Sequence, residues 1–127
     1  MRKEHQFRRL NVWQRSMQLV TKIYILTASF PRSELYGLTD QIRRAALSIP
    51  LNIAEGSGCS TNTDFLRFLS IAKRSGYEVI TGLEVAKNLA YADNKRIDNL
   101  IRELEEICSM IVGLSKNLSR DRKIDRQ

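Results

Sequence analysis

A serine or cysteine nucleophile needs a histidine that packing can orient. This chain has one histidine, His5, inside the charged stretch Met1-Arg2-Lys3-Glu4-His5-Gln6. It precedes any apolar period, so it belongs to no helix that could aim it. Glu-x-x-His pairs, which build di-iron sites in helical bundles, are absent. So is the Arg and His placed a few residues apart on one helix that bundle-type ribonucleases use. Zinc lacks ligands. A wholly carboxylate, metal-dependent site stays open as an alternative, but Asp40, Glu55, Asp64 and Glu78 stand in no motif that singles them out. Gly56-Ser57-Gly58 does not make a phosphate loop, because no strand precedes it and no Gly-Lys-Ser/Thr follows. The expectation is a protein with no catalytic residue, no metal and no cofactor.

Cations remain. The 127 residues carry 21 Lys and Arg against 14 Asp and Glu, a net charge of +7. Such a chain favours polyanions: nucleic acid, an acidic protein surface or an anionic membrane surface. Arg43, Arg44, Arg67, Lys73 and Arg74 are the leading phosphate contacts, with Arg8, Arg9, Arg15 and Lys22 behind them. Each alone reads as a solvated surface charge. Together they can neutralise phosphates and release counterions, which needs no fixed motif. Base-specific readout has no visible apparatus, neither a recognition helix nor an RNA-binding sheet motif.

The elements that must hold these cations are helices. Leu38, Ile42, Ala45, Ala46, Ile49 and Ile53 fall on one stripe of a helix spanning about 36–56. Arg44, Leu47 and Leu51 point away from it. Pro50 removes one backbone bond, at about 3 kcal/mol, but the apolar phase runs on, which predicts a kink and not an end. Glu55 in the last turn opposes the macrodipole. Either a cation on a neighbouring helix offsets it or it is solvated.

An earlier helix is expected from about Leu10 to Ser29, ended by Phe30-Pro31. Trp13, Met17, Val20, Tyr24 and Thr27 give its stripe, flanked by Val12, Ser16, Leu19, Ile23 and Leu26. Trp13 and Tyr24 could stack on bases, but their phase assigns them to the core. Arg15 and Lys22 share the opposite row. A third helix starts after a cap at Thr61, Asn62 or Thr63. Its stripe is Phe65, Phe68, Leu69, Ala72, Gly76, Val79, Leu83, Ala86 and Ala90. Ala72 and Gly76 are small enough to admit a neighbouring helix closely. Tyr77 and Val85 lie off the stripe and are candidates for an interface. A fourth helix starts at Asp93 or Asn94. Ile97, Leu100, Ile101, Leu104, Ile107, Cys108, Ile111, Leu114 and Leu118 follow bundle spacing, with Glu103, Glu105 and Glu106 on a solvated face.

Short connections make this an all-α, antiparallel up-down four-helix bundle over 9–119. Residues 1–8 are expected to be a flexible basic N-terminus, and 120–127 a basic disordered tail. Cys59 and Cys108 read as free thiols of a reducing cytoplasm. No signal peptide or membrane span is expected.

Several motifs resemble one family. Tyr36-Gly37-Leu38, Gln41-Ile42-Arg43-Arg44-Ala45-Ala46 and Ser48-Ile49-Pro50-x-Asn52-Ile53-Ala54-Glu55-Gly56 stand in order with Val12-Trp13, Phe30-Pro31 and Asp64-Phe65-x-Arg67-Phe68-Leu69. The series is similar to the four-helix-bundle proteins encoded in bacterial large-subunit ribosomal RNA intervening sequences. Accessory proteins of diversity-generating retroelements belong to the same family. The resemblance covers about Phe7 to Leu118. It implies a ring-shaped homo-oligomer, a pentamer in the retroelement members, which bind nucleic acid and a reverse transcriptase. Tyr36, Leu47, Leu51 and Tyr77 are the interface candidates, since outward leucines form a patch a monomer would rather cover. The expected function is a non-enzymatic, oligomeric RNA- or DNA-binding accessory protein. The alternatives are a homo-oligomeric interaction scaffold, whose charge serves solubility, and a bundle hydrolase, which the missing histidine disfavours.

Overall fold

The computed structural model describes the backbone of residues 7–126 and the side chains of residues 7–121. Among these residues there are four α-helices and no strand: α1 Asn11–Thr27, α2 Leu38–Ser57, α3 Asn62–Asn88 and α4 Asn94–Arg126. A single 3-10 turn, Arg32–Glu34, joins α1 to α2. Each helix packs on the next, and α4 closes back on α1.

Cross-helix pairs run in opposite senses, which makes the neighbours antiparallel. Arg15 meets Glu106 and Lys22 meets Glu103. Between α2 and α3, Ile42 lies beside Gly82, Ser48 bonds Ser75 and Gly56 lies beside Phe65. Between α3 and α4, the pairs are Lys87 with Asp98, Gly76 with Cys108 and Asn62 with Leu118.

Local chemistry sets the ends. Thr61 Oγ1 accepts from the Asp64 N–H at 3.2 Å and caps α3. Asp93 does the same for the Arg96 N–H at 3.3 Å before α4. Ala90 takes φ 57, and the Tyr91 N–H reaches back to the Ala86 carbonyl at 3.0 Å, closing α3 in a left-handed C-terminal turn. Ala90 is therefore past the helix and exposed, not on its stripe. α2 runs through the buried Pro50 to Ser57.

The core joins all four helices. Ile42, Ala45, Ala46, Ile49 and Ile53 of α2 are buried, and α4 contributes Ile97, Leu100, Leu104, Ile107 and Ile111. Two glycines let the helices close. A Cβ on Gly76 would stand 2.7 Å from the Cys108 sulfur, and one on Gly82 would stand 2.6 Å from Ile42 Cγ1.

α1 departs from expectation. Its buried face is Val12, Ser16, Leu19, Ile23, Leu26 and Thr27. Met17 and Tyr24 are exposed, and Trp13 and Val20 are half-buried. A bundle helix buries only the sector between its two neighbours. The Tyr24 row lies on the rim toward α2, where Arg43 crosses to it at 4.6 Å from the ring centre.

The other departure is at the chain's end. α4 continues to Arg126, past the boundary expected at 119. Its Arg and Lys residues are good helix formers, and no Gly or Pro intervenes. Of the N-terminal segment expected to be flexible, residues 1–6 lie outside the described residues, while residues 7–9 form a 3-10 turn.

Candidate nucleic-acid interface

Helix packing sorts the seven candidate cations into different situations. Arg15 and Lys22, on the α4 side of α1, are neutralised in place: Arg15 Nη2 is 2.8 Å from Glu106 Oε2, and Lys22 Nζ is 2.9 Å from Glu103 Oε1. Glu103 and Glu106, expected to be solvated, therefore tie two helices together. Arg44 pairs with Asp40 at 2.9 Å and Arg67 with Asp64 at 3.8 Å, each within its own helix. Both cations remain largely exposed, so these pairs contribute little stability. Arg43 is a structural clamp. Its Nε donates to Thr27 Oγ1 at 2.8 Å, its Nη2 donates to the Tyr24 carbonyl at 3.3 Å, and its plane covers the Tyr24 ring. Lys73 and Arg74 make no hydrogen bond or ion pair among the described residues. Glu55 is exposed and likewise has no ion pair among them.

The candidates do not converge on one face. Arg15 and Lys22 sit between α1 and α4, Arg43 between α1 and α2, and Arg44, Arg67 and Arg74 on outer surfaces. Lys73 leans toward α4, into a groove of about 790 Å³. There it joins Lys116 and Arg120, two cations absent from the sequence-based set. Arg120 donates to Asn117 one turn back. The four-residue spacing of Lys116 and Arg120 was the available signal. Lys116 lies off the apolar stripe, and Arg120 lies past the boundary expected at 119.

The interface candidates also divide. Tyr36 is 91% exposed in the turn before α2, and Leu47 and Leu51 are exposed on α2. Leu47 and Leu51 follow Arg43 at four-residue steps on α2, and Met17 and Tyr24 of α1 are exposed as well. Tyr77 instead lines a groove with Ile80, Cys108 and Val112, between α3 and α4. It does not share a patch with the leucines.

Elements of other chemistry are few. Cys59 and Cys108 are free thiols. Burial pushes the Cys108 thiol up, against a smaller lowering by Lys73. Among the described residues no cluster of His, Cys, Asp or Glu could hold a metal, and no helix is long and apolar enough to cross a membrane. His5 lies outside them.

Comparison with known proteins agrees with the motif series. The family of 23S rRNA-intervening sequence proteins matches residues 8–113. The chain belongs to that family. A solved protein of unknown function from the S23 ribosomal protein family of Bacteroides thetaiotaomicron VPI-5482 is similar in fold. It shares 22% identity with a TM-score of 0.75, over 83% of this chain and 98% of that one. None of the curated proteins compared matches. Membership of the intervening-sequence family thus agrees with the order of helices and motifs, and it leaves the activity to be argued from the surface.

Proposed function

We propose that this intervening-sequence family member is a non-enzymatic, cytoplasmic accessory protein that binds RNA or DNA through its phosphate backbone. The observation that carries the reading is the cation surplus. The net charge is +7, and after the cross-helix pairs are formed Lys73, Arg74 and Lys116 still have no carboxylate partner among the described residues. Cations left free in this way can exchange their counterions for phosphates. Binding goes by charge and shape.

The working form is a homo-oligomer, a pentameric ring as in the retroelement accessory proteins that the chain resembles. A reverse transcriptase, or the processing of an rRNA insertion, is the setting. Exposed Leu47 and Leu51 on α2, with exposed Met17 and Tyr24 on α1, support assembly through these helices. Those exposed apolar residues also favour a second reading, a homo-oligomeric scaffold for a protein partner with no nucleic acid involved.

Anisotropy of labelled RNA and DNA oligonucleotides at low salt separates the two. Binding of either is expected, and no measurable binding overturns the first reading. RNA incubated with the protein should stay intact. Cleavage that survives repurification and chelators would overturn the non-enzymatic part.

A further inference from the structure

We propose that the groove between α3 and α4 holds the backbone of a single nucleic-acid strand, gripped at neighbouring phosphates by Lys73, Lys116 and Arg120. This rests on the nucleic-acid reading above and adds where, and in what form, the polymer is held.

Charge distinguishes this groove from the others. Its lining carries three cations and no carboxylate. The groove beside Arg15 is lined also by Glu105 and Glu106, the one beside Lys22 by Glu103, and the one beside Tyr77 by Glu105. A fifth, smaller groove beside Phe30 has no acid either, but with its Arg43 committed to Thr27 and Tyr24 it offers a single cation, Arg32. A polyanion therefore meets carboxylates in three grooves and one uncommitted cation in a fourth. Of these five grooves among the described residues, the one lined by Lys73, Lys116 and Arg120 alone gathers three cations with no carboxylate.

Spacing and chemistry indicate a strand. Lys116 and Arg120 stand four residues apart on α4, a rise of about 6 Å. That is close to the step between phosphates on an extended strand. Lys73 faces them from the opposite wall. Ser70, Ser115 and Ser119 add hydroxyls that can donate to phosphate or sugar oxygens. No aromatic ring lines the groove, so bases have no platform to stack on and the backbone is what is held. Axes of packed helices lie about 8–10 Å apart. The furrow between them admits one strand, and a duplex could touch only its rim.

The test measures affinity against salt for labelled oligo(U) RNA, oligo(dT) of equal length and a duplex. The proteins are the full chain and its Lys73→Gln, Lys116→Gln and Arg120→Gln variants, singly and combined. Three single-strand phosphate contacts correspond to a slope of about −2, and each single contact to about −0.7. The triple variant should flatten the slope for both single strands by about 2. That is roughly a hundredfold loss at about 0.1 M salt, relative to equal affinity extrapolated to about 1 M. Lys73→Arg and Arg120→Lys, which keep the charge, should keep the slope. Arg44→Gln and Arg67→Gln remove cations that Asp40 and Asp64 already offset, and should change it less.

If the unchanged protein binds neither oligonucleotide, the nucleic-acid reading itself fails. If it binds and the triple variant keeps its slope, or Arg44→Gln and Arg67→Gln flatten it as much, the groove is the wrong site. Equal flattening with the duplex overturns the single-strand assignment. Loss in the charge-keeping variants to the same degree overturns the role of charge.

Discussion

Replacing Gly76 tests how tightly α3 lies on α4. A Cβ there would sit 2.7 Å from Cys108 Sγ and 4.0 Å from Ile49 Cδ1. Two effects oppose each other. Ala is favoured over Gly inside a helix by about 1 kcal/mol. Overpacking a core costs about 1–3 kcal/mol. Cys108 is buried and Gly76 is buried against it, so the sulfur has little room to retreat. Gly76→Ala should therefore destabilise by about 0–2 kcal/mol. Cys108→Ala removes the obstructing sulfur and leaves space beside Gly76. In that background Gly76→Ala should stabilise by about 1 kcal/mol, because the new methyl enters the vacated volume. The coupling between the two sites is then about 1–3 kcal/mol. Urea unfolding followed by circular dichroism on the four proteins of the cycle measures it. If Gly76→Ala stabilises the unmodified protein by about 1 kcal/mol and the coupling stays within about 0.5 kcal/mol, the close α3–α4 approach is wrong.

Three other outcomes follow from particular contacts. Thr61→Ala should cost about 1 kcal/mol in urea unfolding, since it removes the acceptor for the Asp64 N–H. Tyr91 donates to Glu34 Oε2 at 2.8 Å, and that bond, with burial, lifts the phenol above its usual 10.0. A raised folded pKa means the contribution is whole below about pH 10 and is lost as pH rises through the folded value. Lys87, lifted mainly by its bond to Asp98, loses its contribution in the same alkaline range. Tyr91→Phe should therefore lessen, and not abolish, the fall in urea midpoint on the alkaline side; an unchanged fall would remove Tyr91 from the account. Leu47→Asp or Leu51→Asp should give soluble monomer in sizing with light scattering, and variants that stay assembled would show that this flank is not the interface.

The α2 stripe was legible because six apolar residues repeat at helical spacing, and all but the half-buried Leu38 are buried. Residue type alone narrowed the caps to Thr61, Asn62 or Thr63 and to Asp93 or Asn94, and the backbone geometry selects Thr61 and Asp93. The phase of α1 was not. Both of its rows are apolar, and which one faces inward depends on where α2 and α4 lie. Nor were the Glu103 and Glu106 pairs, because their partners stand 81 and 91 residues away. An acid on a helix surface looks solvated until a second helix brings a cation to it. For the same reason, Arg15 and Lys22 looked like phosphate contacts. The Lys73–Lys116–Arg120 groove exists only once α3 and α4 are side by side. Of its α4 cations, Lys116 lies off the apolar stripe and Arg120 lies beyond the last residue of that stripe, Leu118. Outward placement of Leu47 and Leu51 was readable, but the distance of Tyr77 from them depends on how α3 is rotated in the bundle.

The most direct measurement of the central claim is the slope of log affinity against log salt for the unmodified protein on a short single-stranded RNA. Free cations exchanging counterions for phosphates predict a straight line, with a slope of −2 or steeper, that is, about three contacts or more. A slope near zero, or an absence of binding at low salt, would contradict it.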